Sequence, residues 1–171
     1  MTKFLSWLAN LFVLSPFLRE KQKAMRQSWP LAAAHLDLVF SPGRNLYDDK
    51  ITGILDGYPV AIYNEFDLDV QKLVTLIRVF SEGVLSTSKN LSRKELLAQY
   101  DKSVETCGAL SDGMLSEDQR AWFLGHRRGI GTERVEGDLV YRQLYGMDEA
   151  EEIILVAKAM VLTVRQLAWK N

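Results

Sequence analysis

Cysteine occurs once in this chain, at position 107, and histidine only at 35 and 126. A single thiol excludes an internal disulfide framework and any cysteine-built zinc module. Two histidines leave little for a histidine metal site. Without a G-x-S-x-G turn they also argue against a serine or cysteine hydrolase triad. Charge of one sign is lacking too: the net charge is −1 and the pI about 6.1. That excludes a strongly basic nucleic-acid binder and disorder driven by charge. No repeat, low-complexity tract or long linker is present, and no apolar run reaches the ~20 residues a bilayer span needs. What remains is ordinary: 171 residues, 47% hydrophobic and 25% charged. A chain of that size buries a sizeable core without staples, as one domain with an appendage.

The appendage is the N-terminus. Residues 1–28 hold Lys3, Arg19, Lys21, Lys23 and Arg26 against Glu20 alone, leaving the remainder acidic. Residues 4–18 carry ten large apolar side chains among fifteen. The run could pass for the core of a secretory leader, but only Lys3 precedes it and no clear A-x-A site follows, so a leader is not the expectation. On a helix, Ser6 and Asn10 form a narrow polar stripe. Phe4, Leu5, Trp7, Leu8, Leu11, Phe12 and Leu14 cover nearly everything else. Ser15-Pro16 then suggests an N-cap and first-turn proline opening a second, basic helix over about 17–27. An apolar wedge followed by cations is the two-signal pattern of a peripheral membrane anchor. Docking on the chain's own core or on a partner would use the same apolar face. Phe4, Leu5, Trp7, Leu8, Leu11, Phe12, Arg19, Lys21, Lys23 and Arg26 are therefore the candidate membrane- or partner-binding residues. The boundary is drawn at 28/29, so removal of residues 1–27 is expected to leave a folded domain.

The body, residues 29–171, alternates signals. Pro30 and Leu31–Leu36 suggest a short helix. Asp56-Gly57, between Ile51–Leu55 and Tyr58–Phe66, predicts a β-hairpin, because both turn positions favour positive φ. Residues 70–80 fit a strand or a helix; a strand is preferred, since a lone hairpin is unstable. A short strand over 84–88 is expected to follow. Ser92–Glu95 and Ser116–Gln119 read as capping boxes opening helices at about 93–101 and 117–128. Val135–Tyr145, broken at Gly137-Asp138, predicts a second hairpin. Asp148 is placed as the cap of a last helix whose apolar stripe is Ile153, Ala157, Met160, Val164 and Leu167. The fold class expected is α+β: a mainly antiparallel sheet of about five or six strands with helices on one face.

Trp29, Leu31-Ala32, Leu38, Phe40, Gly53, Gly57-Tyr58-Pro59-Val60 and Ile62 resemble a pattern found in small bacterial α+β proteins of uncharacterised function. Gly137-Asp138-Leu139-Val140 and the closing apolar helix are similar to the same group. The element order also resembles type III secretion chaperones. Neither resemblance carries a catalytic residue, and fold does not fix function.

Chemistry-bearing clusters are few. Glu65, Asp67 and Asp69 alternate and would line one strand face, as oxygen ligands for a divalent cation do. A solvated strand end is the simpler reading. Arg120, Arg127, Arg128 and Arg134 form a candidate anion patch around Gly125–Thr132. That loop runs from helix to strand, which presents the wrong helix pole to a phosphate. Cys107 reads as an inert thiol, and His35 as a half-buried structural histidine.

The expectation is a non-enzymatic interaction or accessory protein. Through its N-terminal arm it would meet a protein partner, a second copy or a membrane surface. Its expected place is the cytoplasm or the inner face of the membrane. No catalytic, cofactor or metal residue is assigned, and nucleic acid is not an expected partner. The alternatives are a small hydrolase or transferase using the acidic or arginine cluster, and, more weakly, an RNA-binding accessory protein.

Overall fold

The computed structural model describes residues 2–67, 72–81, 92–110, 130–135 and 137–168. Three helices and six strands lie among them: α1 (Thr2–Leu36), β1 (Val39–Ser41), β2 (Lys50–Leu55), β3 (Tyr58–Asp67), β4 (Lys72–Val79), α2 (Arg93–Leu110), β5 (Ile130–Val135), β6 (Asp138–Leu144) and α3 (Ala150–Ala168). The strands form one antiparallel sheet in the order β1-β2-β3-β4-β6-β5. The fold is α+β. The expected strand over 84–88 and helix over 117–128 lie outside the described residues.

Local chemistry sets the turns. Asp56 (φ 49°) and Gly57 (φ 86°) close the β2–β3 hairpin with Leu55 opposite Tyr58, as the two-residue turn requires. Within the ambiguous 70–80 segment, Lys72–Val79 form strand β4, paired on both sides. Pairing at both edges outweighs the helical spacing of its apolar residues. The second hairpin differs from expectation by one residue at its turn and by a longer first strand. Val135 pairs with Asp138 across a turn that holds Gly137, and β5 starts at Ile130. Ser92 and Glu95 form the expected capping box: the Ser92 amide donates to Glu95 Oε2 at 2.8 Å and the Glu95 amide to Ser92 Oγ at 3.3 Å. The helix it opens is longer than read, reaching Leu110.

The N-terminus departs most from expectation. Pro16 and Pro30 are interior residues of one helix and not the first-turn prolines of two later ones. An interior proline costs about 3 kcal/mol or more. Continuity is held by a single inward stripe: Met25, Trp29, Ala32, Ala33 and Leu36 are buried in the main core, with Leu18 packed against it. Interrupting the helix at Pro30 would break that stripe. Asp37 (φ 55°) ends α1; the Leu38 amide reaches Ala33 O at 2.8 Å and the Asp37 amide Ala34 O at 3.4 Å. The boundary drawn at 28/29 thus falls inside α1, and core residues lie on both sides of it.

All three helices pack on one sheet face. α1 runs beside β1 and β2, α3 lies against β4 and β6, and α2 contacts β5 and flanks α3. The middle position explains α3. Its predicted stripe is buried, but so are Ile154, Leu155, Val156, Ala159, Val161 and Thr163, because neighbours cover three sides. On the opposite sheet face Val74, Leu76 and Val140 form a second, smaller cluster.

Two outcomes follow. Deleting residues 1–27 removes Met25 from the core, so the truncated chain is expected to melt far below the full chain or not to fold; an unchanged melting temperature would contradict the inward stripe. Met160→Asp places an unpaired charge in the interior and is expected to destabilise by about 3–5 kcal/mol in chemical denaturation.

Candidate functional site

The candidate binding residues divide once α1 is placed. Lys21 Nζ donates to Asp148 Oδ2 at 2.6 Å, tying α1 to the residues just ahead of α3. Asp148 is therefore not the helix cap: the first helical hydrogen bond of α3 runs from the Ile153 amide to Glu149 O. Arg26 holds Asp49 through Nε and Nη2, both at 3.1 Å, and its Nη2 also reaches Gly43 O at 2.6 Å. Asp49 is fully buried and accepts the Gly43 amide at 2.7 Å. A buried carboxylate needs such a bidentate partner. Trp29 Nε1 adds a third tie, donating to Met147 O at 2.8 Å. Gly146 makes room for this approach: a β-carbon there would meet Met25 Cε at 2.5 Å, and its φ of 78° suits glycine.

Lys21 and Arg26 are thus engaged by carboxylates of the body and tie α1 to it, Lys21 half-buried and Arg26 with its side chain still exposed. Arg19 and Lys23 stay exposed, on the side of α1 away from the core. Phe4, Leu5, Trp7, Leu8, Leu11 and Phe12 lie on the helical backbone of α1, and their side chains fall outside the description. Of the anion patch, Arg120, Arg127 and Arg128 lie outside the described residues. Arg134 is on β5, in register with Leu139.

The acidic run is answered by a cation from the next strand but one. Arg142 of β6 reaches Asp67 Oδ2 at 3.0 Å and Glu65 Oε1 at 3.7 Å. Asp69 is outside the described residues. Among the described residues no group of three or more His, Cys, Asp or Glu side chains is placed to hold a metal ion. Cys107 is half-buried, and burial pushes its thiol up, against a nucleophilic role. His35 is exposed on the last turn of α1, where a half-buried position was expected.

A buried polar cluster that the sequence reading missed lies between sheet and helices. Asn64, Thr75 and Gln143 are aligned in register across β3, β4 and β6, all facing the helices. Thr75 Oγ1 donates to Asn64 Oδ1 at 2.6 Å and accepts the Met147 amide at 2.9 Å. Tyr141 OH donates to Gln143 Oε1 at 2.9 Å, and Gln143 Nε2 donates to Glu152 Oε1 at 2.7 Å. Glu152 lies beside Glu151 in the first turn of α3, and it is buried. Burial, reinforced by Glu149 and Asp148, pushes its carboxyl up to about 7 against the Gln143 hydrogen bond and Lys21. Tyr100 packs on Tyr141 with ring centroids 5.8 Å apart, and burial raises both phenols well above their ordinary range. The available signal was positional: Glu152 immediately precedes the apolar stripe, and Gln143 alternates with Tyr141 and Leu139 on the core face.

No family model, curated protein or solved structure matches this chain.

The Glu152 carboxyl makes stability depend on pH. Its folded value lies above its ordinary 4.5, so the folded state holds the proton more tightly. The contribution is complete below about pH 4.5, falls as pH rises through about 7, and is constant above. A rise of that size is worth about 3 kcal/mol. Glu152→Gln is expected to remove this loss, flattening denaturation free energies between pH 5 and 8 relative to wild type. Parallel pH profiles for the two proteins would contradict the assignment.

Proposed function

We propose that this protein is a non-enzymatic accessory protein that docks on an anionic membrane surface through residues 2–15 of α1. The observation that carries the reading is the change along α1. From Leu18 onward one stripe faces the core and the opposite side holds Arg19, Lys23 and Gln27 in solvent. Residues 2–15 add about 20 Å of helix before that stretch. There the sequence places apolar residues around about 260° of the helix, leaving only a stripe with Ser6 and Asn10. A groove on a protein covers one side of a helix. The headgroup–acyl boundary covers a wide arc and suits Trp7, Phe4 and Phe12. No described helix is long and apolar enough to cross a membrane, so the contact would be interfacial.

Flotation of the full chain with phosphatidylserine-containing vesicles tests this. The full chain is expected to float at low salt. The double substitution Leu8→Glu with Phe12→Glu should reduce the bound fraction at least about tenfold, with the melting temperature kept. Absence of flotation in the wild type overturns the reading. So does a dimer mass lost in the double variant without flotation, which would assign residues 2–15 to a protein interface.

A further inference from the structure

We infer that Arg19 and Lys23, and not Lys21 and Arg26, are the phosphate-contacting cations of this surface, and that α1 lies along the bilayer with the sheet held on its far side. The inference rests on the membrane reading above and deepens it. Four cations follow the apolar segment, and the tertiary structure sorts them. Lys21 is paired with Asp148, and Arg26, though still exposed, has its guanidinium taken up by Asp49 and Gly43. Arg19 and Lys23 are exposed together with Pro16 and Gln27, at helical spacings of three and four. This outward line is opposite the stripe of Leu18, Met25 and Trp29 that meets the core.

Continued toward the N-terminus at the same spacing, the line passes through Phe12, Leu8 or Ala9, and Leu5. One edge of a single helix is thus apolar before Pro16 and cationic after it. Arg19 and Lys23 follow Phe12 by about 10 and 16 Å along the axis. When Phe12 and Leu8 enter the acyl boundary, a helix lying in the interface plane sets Arg19 and Lys23 at the level of lipid phosphates. Arg19 can hold a phosphate with two parallel hydrogen bonds, and Lys23 acts as a point charge. The body, clamped on the opposite side by Lys21, Arg26 and Trp29, then faces away from the bilayer. Glu20, also exposed beside Arg19, opposes the attraction.

The probe is a vesicle of phosphatidylcholine with phosphatidylserine, against phosphatidylcholine alone, using full-length protein. Arg19→Glu with Lys23→Glu is expected to lower binding to the anionic vesicles about tenfold or more at low salt and to abolish most of its salt dependence. Glu20→Gln should strengthen binding several-fold. Lys21→Gln, checked for folding by its melt, should bind as wild type. If wild type floats and the Arg19/Lys23 variant floats equally well with the same salt dependence, the inference fails while the membrane reading stands. An equal loss in a folded Lys21→Gln variant also overturns it. If wild type binds neither vesicle, the membrane reading fails and this inference with it.

Discussion

The burial of α3 is the constraint on which the other elements depend. A helix that is apolar on nearly every side must be covered on nearly every side. Here the sheet supplies one wall through β4 and β6, and α1 and α2 supply the flanks. The arrangement explains why α1 remains helical through Pro30. Its wall is built from Met25, Trp29, Ala32, Ala33 and Leu36, and an interrupted helix could not present them as one stripe. Small and hydroxylated residues let the other flank approach: Thr163 Oγ1 donates to Ser103 Oγ at 2.9 Å between α3 and α2.

Placing so much apolar surface around α3 forces the chain to satisfy its polar groups inside the seam. Asn64, Thr75, Gln143 and Glu152 do so with hydrogen bonds between consecutive elements, and Thr75 also accepts the Met147 amide from far along the chain. The same seam carries the clamps from α1, so the segment proposed to meet a membrane and the most deeply buried helix share one set of contacts. Lys21 illustrates the coupling. It reaches Asp148 just ahead of α3, and it is the cation that partly offsets the burial of Glu152.

Much of the architecture was legible in particular residues. Asp56-Gly57 and Ser92–Glu95 define their turn and cap by local chemistry alone, and the α3 stripe announces a buried helix by period. Segment 70–80 was less legible, because Val70, Leu73, Val74, Ile77 and Phe80 suit a helix while its β-branched residues suit a strand, until partners on two sides resolve residues 72–79 as β4. The candidate surface was legible as a class of side chains and not as a set. Nothing local distinguishes Lys21 from Lys23, or Arg26 from Arg19.

The sequence by itself determined the elements whose causes are local: hairpin turns, a capping box, a strongly periodic helix, and an apolar segment too short to span a bilayer. It also determined that cysteine and histidine chemistry is scarce. Only the tertiary structure decided that α1 is one helix, that Glu65 and Asp67 face Arg142, and that Glu152 is a buried acid. The physical reason is range. A turn or a cap is settled by groups a few residues apart. The fate of a charge or a proline depends on which surface the fold brings against it, as Asp148 and Asp49 do for two of the four cations.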